Sequence, residues 1–457
     1  MINQTFRPDH KVILRRADNN YADEDISNDV VSISTNKAYA RAAGGFQLTT
    51  TFKPFIADKR YDEVVKPDDI ILISLDAGDG TGMLPVMVGL VDRVGRIRSY
   101  DGEGRPQFRC RINGMDFGKL LTKHNCIVDV TPLKETEEGK EAVKGGEGTE
   151  WVFRMSQGLP FSGKPQELVS GIHKVLFREQ LTLPKDYCDV WFPDVAIDQW
   201  ATYNFPVLET TGSVWNAMKT LSNEPFNVLT TETYGDRFYV ILEKYPFDDK
   251  TGKLTLTTAR PAEKRRGYKV QPGIPADPKG RGRMYAIPDQ LIVNEDLGIA
   301  DNERINYLYL KAPNFILFGE GGAGQAMSFI HGIQNDPLEK IKVHGFIPWE
   351  VNIPSFAPPV VSAEGLIPNG AEVNEIKARA EILWNRVKNN HTLESGNITV
   401  HGMPWFKCGD GALLDNDMEY FVEQVTHNYQ INMNGTSYTT ALGLTRGQAH
   451  TAQEYDP

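Results

Sequence analysis

Gly89-Leu90-Val91-Asp92-Arg93-Val94 near the start of the chain and Tyr420-Phe421-Val422-Glu423-Gln424-Val425 near its end carry the same Val-acid-x-Val pattern. Upstream of the first lies an acidic turn and an apolar run, Asp68-Asp69-Ile70-Ile71-Leu72-Ile73. Upstream of the second lies Gly409-Asp410. Downstream, each is followed by a polar hairpin and an alternating strand that ends in glycine. These strands are Gln107-Phe108-Arg109-Cys110-Arg111-Ile112-Asn113-Gly114 and Tyr438-Thr439-Thr440-Ala441-Leu442-Gly443-Leu444-Thr445-Arg446-Gly447. The Val91-to-Gly114 and Val422-to-Gly447 intervals differ by two residues. Alternation of period two predicts half-buried strands. One β-module written twice implies internal pseudo-symmetry, a clue to assembly more than to chemistry.

With 457 residues the chain has room for several domains. No run approaches the roughly 20 apolar residues that span a bilayer. Met1 to Pro8 has no apolar core, so no cleaved secretory signal is expected and folding in a cytoplasm is. The four cysteines, Cys110, Cys126, Cys188 and Cys408, are far apart and read as reduced structural thiols, Cys110 alternating with Phe108 and Ile112 in a strand. A net charge of -11 argues against a protein that grips nucleic acid through phosphates.

Along the chain, Ala38 to Phe52 reads as a strand pair broken at Gly44-Gly45. Ser99 to Pro106 reads as a hairpin connection with Asp101-Gly102 as its turn. Met115 to Leu121 reads as the start of a short helix, and Lys134 to Glu150 as a solvated linker. Pro165 to Leu176 predicts a helix. Val214, Met218 and Leu221 share a helical face behind an N-cap at Thr211 or Ser213. Asn227 to Glu243 predicts a hairpin around Tyr234-Gly235-Asp236. Glu372 to Asn390 gives the clearest amphipathic helix, with Val373, Ile376, Ala380, Leu383 and Val387 as its stripe. The stretch 260–283, with Arg260, Lys264, Arg265, Arg266, Lys269, Lys279, Arg281 and Arg283, reads as an exposed basic loop, a partner-docking segment or an unstructured linker in preference to a nucleic-acid contact. It holds one aromatic residue, Tyr268, and so offers no stacking platform for single strands.

The chemical motifs are weak. Gly319-Glu320-Gly321-Gly322-Ala323-Gly324 matches GxGxxG, but its flanks lack a βαβ pattern, so a loop tip is expected. Gly163-Lys164-Pro165 puts proline where a phosphate-binding loop needs Ser or Thr. His344, His401 and His427 fall in predicted strands without a partner at ligand spacing. Glu137-Glu138 belongs to the solvated linker, and Ser213 has no GxSxG context. The expectation is no catalytic, cofactor-binding or metal site, and no cofactor.

Leu393-Glu394-Ser395-Gly396-Asn397-Ile398-Thr399-Val400-His401-Gly402-Met403-Pro404, then Cys408-Gly409-Asp410, Glu419 to His427 and Thr445-Arg446-Gly447, resembles the closing segment of bacteriophage tail baseplate hub proteins of contractile tails. Asp68 to Leu121, with Gly114-Met115-Asp116, resembles that family's first module, and Ser213 to Phe247 its central helix and hairpin. The likeness covers about half the chain; 126–205 and 251–340 match weakly.

The resemblance implies a mainly β fold with α+β insertions and two tail-tube-like β-barrels. The expected order is a first barrel over 1–125, an inserted domain over 126–205, and a helix and hairpin over 206–250 assignable to the second barrel. An inserted α+β domain over 251–345 carries the loop 260–283, and the second barrel occupies 346–457. It further implies a virion structural protein, synthesised in the host cytoplasm and without catalysis. As a homotrimer of pseudo-sixfold symmetry it would join the hexameric tail tube to the trimeric central spike. Other partners would be baseplate proteins and the tape measure protein, with DNA only in transit during ejection and no membrane insertion. The acidic balance then predicts a negative or neutral bore. The competing readings are a tail-associated lytic enzyme and the hub of a phage-derived injection system or tailed bacteriocin.

Overall fold

The computed structural model describes residues 7–56, 58–100, 106–127, 165–181, 187–192, 211–258, 278, 281–311, 315–318, 324–327, 330–353, 370–432 and 435–449. The fold is mainly β, and fourteen strands belong to one sheet. Alternation explains the strands: Ile71, Ile73 and Leu75 are buried on one side of the Ile70–Asp76 strand. Each such side chain contributes roughly 1.5–3 kcal/mol by leaving water.

The duplication is larger than the quoted motifs. In the first copy, Ile70–Asp76, Leu84–Tyr100, Pro106–Asp116, Gly45–Thr51 and Val30–Ala38 lie side by side in that order, all antiparallel. In the second, Gly411–Leu414, Met418–Asn432, Gly435–Ala449, Glu394–His401 and Ile292–Ile299 repeat the order and the directions. In both copies the last two of these strands come first in the chain.

Register is repeated too. Val94 opposes Ile112, Ile112 opposes Leu48 and Leu48 opposes Ile33. Correspondingly, Val425 opposes Leu442, Leu442 opposes Ile398 and Ile398 opposes Glu295. A register shift falls between Val91 and Arg93 in one copy and between Val422 and Gln424 in the other. A second matched shift lies between Val30 and Ser32 and between Ile292 and Asn294. Bulges add one residue to one strand, so matching positions fix the alignment of the copies. That alignment corrects one motif: Val91 opposes Gly114 while Val422 opposes Leu444, so Gly114 corresponds to Leu444. Gly447 instead faces Glu394, and Tyr420 fills the space its Cβ would need.

The copies do not form two separate closed barrels among the described residues. The outer edge of Val30–Ala38 pairs with Met418–Asn432, Ile33 opposite Tyr429 and Thr35 opposite His427. An edge that pairs with the other copy is no longer free to close its own barrel. One side chain set also crosses over: Tyr429 and Tyr438, from the second copy's hairpin, complete the core of the first around Val12, Leu48, Tyr61 and Ile112. The second copy has its own core of Ile398, Trp405, Phe406, Tyr420, Val422 and Leu444. On their outer flanks the copies differ. Asp9–Arg15 runs antiparallel to Ile70–Asp76, whereas Arg283–Ile287 runs parallel to Gly411–Leu414.

Several local expectations need adjustment. The Val214–Leu221 helix starts where expected, and Ser213 Oγ accepts from Asn216 N at 3.2 Å. Asn227–Tyr234 and Arg237–Lys244 form the predicted hairpin, and Pro165–Lys174 is helical before a π-helical turn at Val175–Gln180. Gly370–Val387 buries Ala380 and Leu383 against Leu308 and Leu310, and Val387 is buried at its end. The helix expected from Met115 begins only at Gly118, because the preceding strand continues pairing to Asp116. His344 ends the Leu338–His344 helix instead of lying in a strand. The linker 134–150 lies outside the described residues. No helix among them is long and apolar enough to cross a membrane.

Candidate functional site

Where the two copies meet the central hairpin, the interface is a buried, charged joint. Lys37, at an inward position of Val30–Ala38, reaches Asp116 at the end of Pro106–Asp116 and donates to Thr231 Oγ1 at 2.6 Å. Asp116 also accepts from Gly44 N and Gly118 N, both at 2.9 Å. Thr231 in turn donates to Ala42 O at 2.8 Å. A second group joins Arg281 to Glu243 at 2.9 and 3.0 Å, and Tyr39 OH donates to the same carboxylate at 3.1 Å. The third belongs to the second copy. Lys407 Nζ donates to Pro85 O at 3.1 Å, and Cys408 N donates to Glu232 at 3.3 Å.

The electrostatics follow from burial. Desolvation pushes Asp410 up to about 7 against the pull of Arg281 and two backbone N–H donors. Desolvation also raises Asp116, opposed by Lys37. It lowers Lys407 and pushes His427 down to about 3, the nearby Lys407 charge adding to the latter shift. His427 Nδ1 lies 3.1 Å from Thr440 Oγ1 and 3.0 Å from Tyr438 OH. A cavity of about 10 Å³ beside Lys37, Glu232, Lys407 and His427 has the size one water needs. The joint is therefore suited to fixing the angle between copies, because unpaired buried charges make every other arrangement costly.

Three solved structures match over most of the chain at low sequence identity. The tail protein from Neisseria meningitidis MC58 matches with a TM-score of 0.49 and 12% identity, over 96% of this chain and 96% of that one. The 43 kDa tail protein of prophage MuSo2 from Shewanella oneidensis matches at 0.48 and 12%, over 95% and 98%. A chain of the lidless PdpA-VgrG complex matches at 0.44 and 9%, over 99% of this chain and 67% of that one. No family model and no curated protein matches the sequence.

The weak motifs meet different fates. Phe315–Phe318 and Gly324–Met327 pair as antiparallel strands on either side of the GxGxxG glycines, so no helix follows to present its amides to a pyrophosphate. Residues 319–323 themselves, like Gly163-Lys164 and Glu137-Glu138, lie outside the described residues. So does most of 260–283, but its end corrects the expected exposed loop. Arg281 is 4% exposed against Glu243 and Tyr39, and Arg283 opens a sheet strand. Phe108 departs from the alternation with Cys110: it is 46% exposed, while Cys110 is buried and its thiol pushed up by burial to about 11. Among the described residues no three His, Cys, Asp or Glu side chains are grouped to hold a metal. The joint itself escaped sequence reading. Its one local signal is a charge at an inward position, Lys37 after Ile33 and Thr35.

Proposed function

We propose that this chain is the structural hub of a phage tail baseplate. On this reading it is a homotrimer that places six equivalent modules around a bore, joins a hexameric tail tube to a trimeric spike and lets DNA pass. The observation that carries it is the pair of five-strand modules with one strand order and matched bulges, coupled edge to edge in a single sheet. Two modules per chain turn threefold into sixfold, and a soluble homo-oligomer closes by point symmetry. The sequence resemblance to hub proteins independently favours it. The central hairpin and the buried charges hold the two modules at one angle, which such a ring requires of every subunit.

The chain acts by geometry and has no catalysis of its own. Light scattering and negative-stain images test the assembly: three chains per particle and a ring with six-fold-like density are expected, and a stable monomer that never joins a tube counts against it. A turbidity assay on bacterial cell walls tests the absence of catalysis; clearing would make the protein a lytic enzyme.

A further inference from the structure

Among the edges of the sheet that couples the copies, two are the counterparts of the coupled pair. Aligning the copies through their bulges makes Arg93–Ser99 equivalent to Gln424–Gln430, and Asn294–Ala300 equivalent to Ser32–Ala38. The second members of each set, Gln424–Gln430 and Ser32–Ala38, pair with each other within the chain. Beyond Leu90 the outer edge of Leu84–Tyr100 has no strand partner among the described residues, nor has the outer edge of Ile292–Ile299. We infer that these two open edges pair with each other between neighbouring copies of this chain, in the register already used inside it. The inference rests on the proposed ring and supplies its subunit contact.

That register puts Arg98 opposite Glu295, Val94 opposite Ile299 and Gly95 opposite Gly298. Its chemistry is complementary where opposite charges meet. Arg98 falls opposite Glu295, while Arg96 is already held by Asp62 within its own chain and Asp296 falls opposite Ile97. Opposite charges facing each other across strands are favourable, and like charges are not. Where the coupled pair inside the chain is apolar, Ile33 facing Tyr429, the open pair is charged, which keeps both edges soluble before assembly. Gly95 and Gly298 each face open space, so neither obstructs a close backbone approach.

Exposed apolar groups mark the same surfaces. Ile299 is 64% exposed, whereas its counterpart Lys37 is buried in the joint. Phe108 is the counterpart of Tyr438, which is 5% exposed because it plugs into the first copy's core. Pairing between chains would carry Phe108 onto the neighbour's second copy in the same way. The contact is head to tail, so it closes only as a ring or runs on as a filament.

Two single variants, Arg98→Cys and Glu295→Cys, test it when mixed, dissociated, reassembled and oxidised. Facing Cα atoms on antiparallel strands lie about 4.5–5.5 Å apart, within the Cα separation that a disulfide spans. Cross-linked dimers are expected in the mixture and in neither variant alone; the double variant should give covalent trimers. Phe108→Glu, at an exposed position, should weaken trimerisation at least tenfold with the circular dichroism unchanged. Trimers without cross-links, and indifferent to Phe108→Glu, would overturn the edge pairing and leave the hub reading standing. A chain that is monomeric both alone and in particles would overturn both.

Discussion

Asp69 and Asp410 hold the same turn in the two copies. Asp69 accepts from Lys66 N at 2.8 Å and Ala17 N at 3.0 Å; Asp410 accepts from Lys407 N at 3.0 Å and Arg283 N at 3.2 Å. In each case the carboxylate ties the backbone three residues back to the flanking segment, the turn after Asp9–Arg15 in one copy and the start of Arg283–Ile287 in the other. The peptides beside them repeat as well: Val91 N donates to Asp69 O at 2.8 Å and Val422 N to Asp410 O at 2.9 Å. Even the residue before is matched, Asp68 at φ 71° and Gly409 at φ 94°. Glycine meets this left-handed backbone freely, while aspartate accepts some strain there.

Asp410 should make stability fall as pH rises. Its folded pKa of about 7 lies above the unfolded value of about 4. Between these values the folded chain keeps a proton that the unfolded chain has lost. The group's contribution is full below about pH 4 and is lost as pH climbs to about 7, at most roughly 4 kcal/mol. Asp410→Asn should flatten that limb in denaturant titrations, and lower stability by about 1–3 kcal/mol by removing an acceptor from Lys407 N or Arg283 N.

His427 acts in the opposite direction. Burial depresses its folded pKa to about 3, so below about 6.5 the unfolded chain binds a proton that the folded chain refuses. Stability from this group is full above pH 6.5 and falls as pH drops toward 3. His427→Gln should remove that acid-side loss, measured as a smaller drop in Tm between pH 7 and pH 5 than in the wild type.

Lys37→Ala should destabilise the chain by about 3–5 kcal/mol, because it leaves Asp116 buried without its cation. Chemical denaturation at pH 7 measures it. A loss below about 1 kcal/mol would mean that the joint is hydrated and does not set the angle between the copies.

Tyr438 and Phe108 occupy equivalent positions with opposite burial, so truncating them should have unequal effects in the isolated chain. Tyr438→Ala removes a core side chain and should cost about 3–5 kcal/mol. Phe108→Ala should cost less than about 1 kcal/mol in the monomer. Equal losses would contradict the alignment of the copies.

The bore of the proposed ring should be negative or neutral. Double-stranded DNA should therefore pass without retention, and filter binding at physiological salt should detect no complex. A bore lined by clustered lysine and arginine would refute this.

The sequence by itself determined the local elements and the existence of a repeat. Alternation in Ile70–Asp76 and Gly435–Ala449 marks strands, and the Ser213 cap and Ala380-Leu383-Val387 stripe mark helices, because each signal depends on neighbours within a few residues. The Val-acid-x-Val motif marked the matching strand of both copies for the same reason, and the pairing register then showed a bulge there in each. Tertiary structure alone decided how far the repeat extends. Ile292–Ile299 and Glu394–His401 are separated by an insertion, and nothing local says that their order copies Val30–Ala38 and Gly45–Thr51. It also decided that the copies share one sheet, since edge pairing is a contact between segments hundreds of residues apart. The joint was illegible for that reason: Lys37, Asp116, Glu243 and Arg281 are ordinary surface residue types until the fold removes their water and brings their partners together.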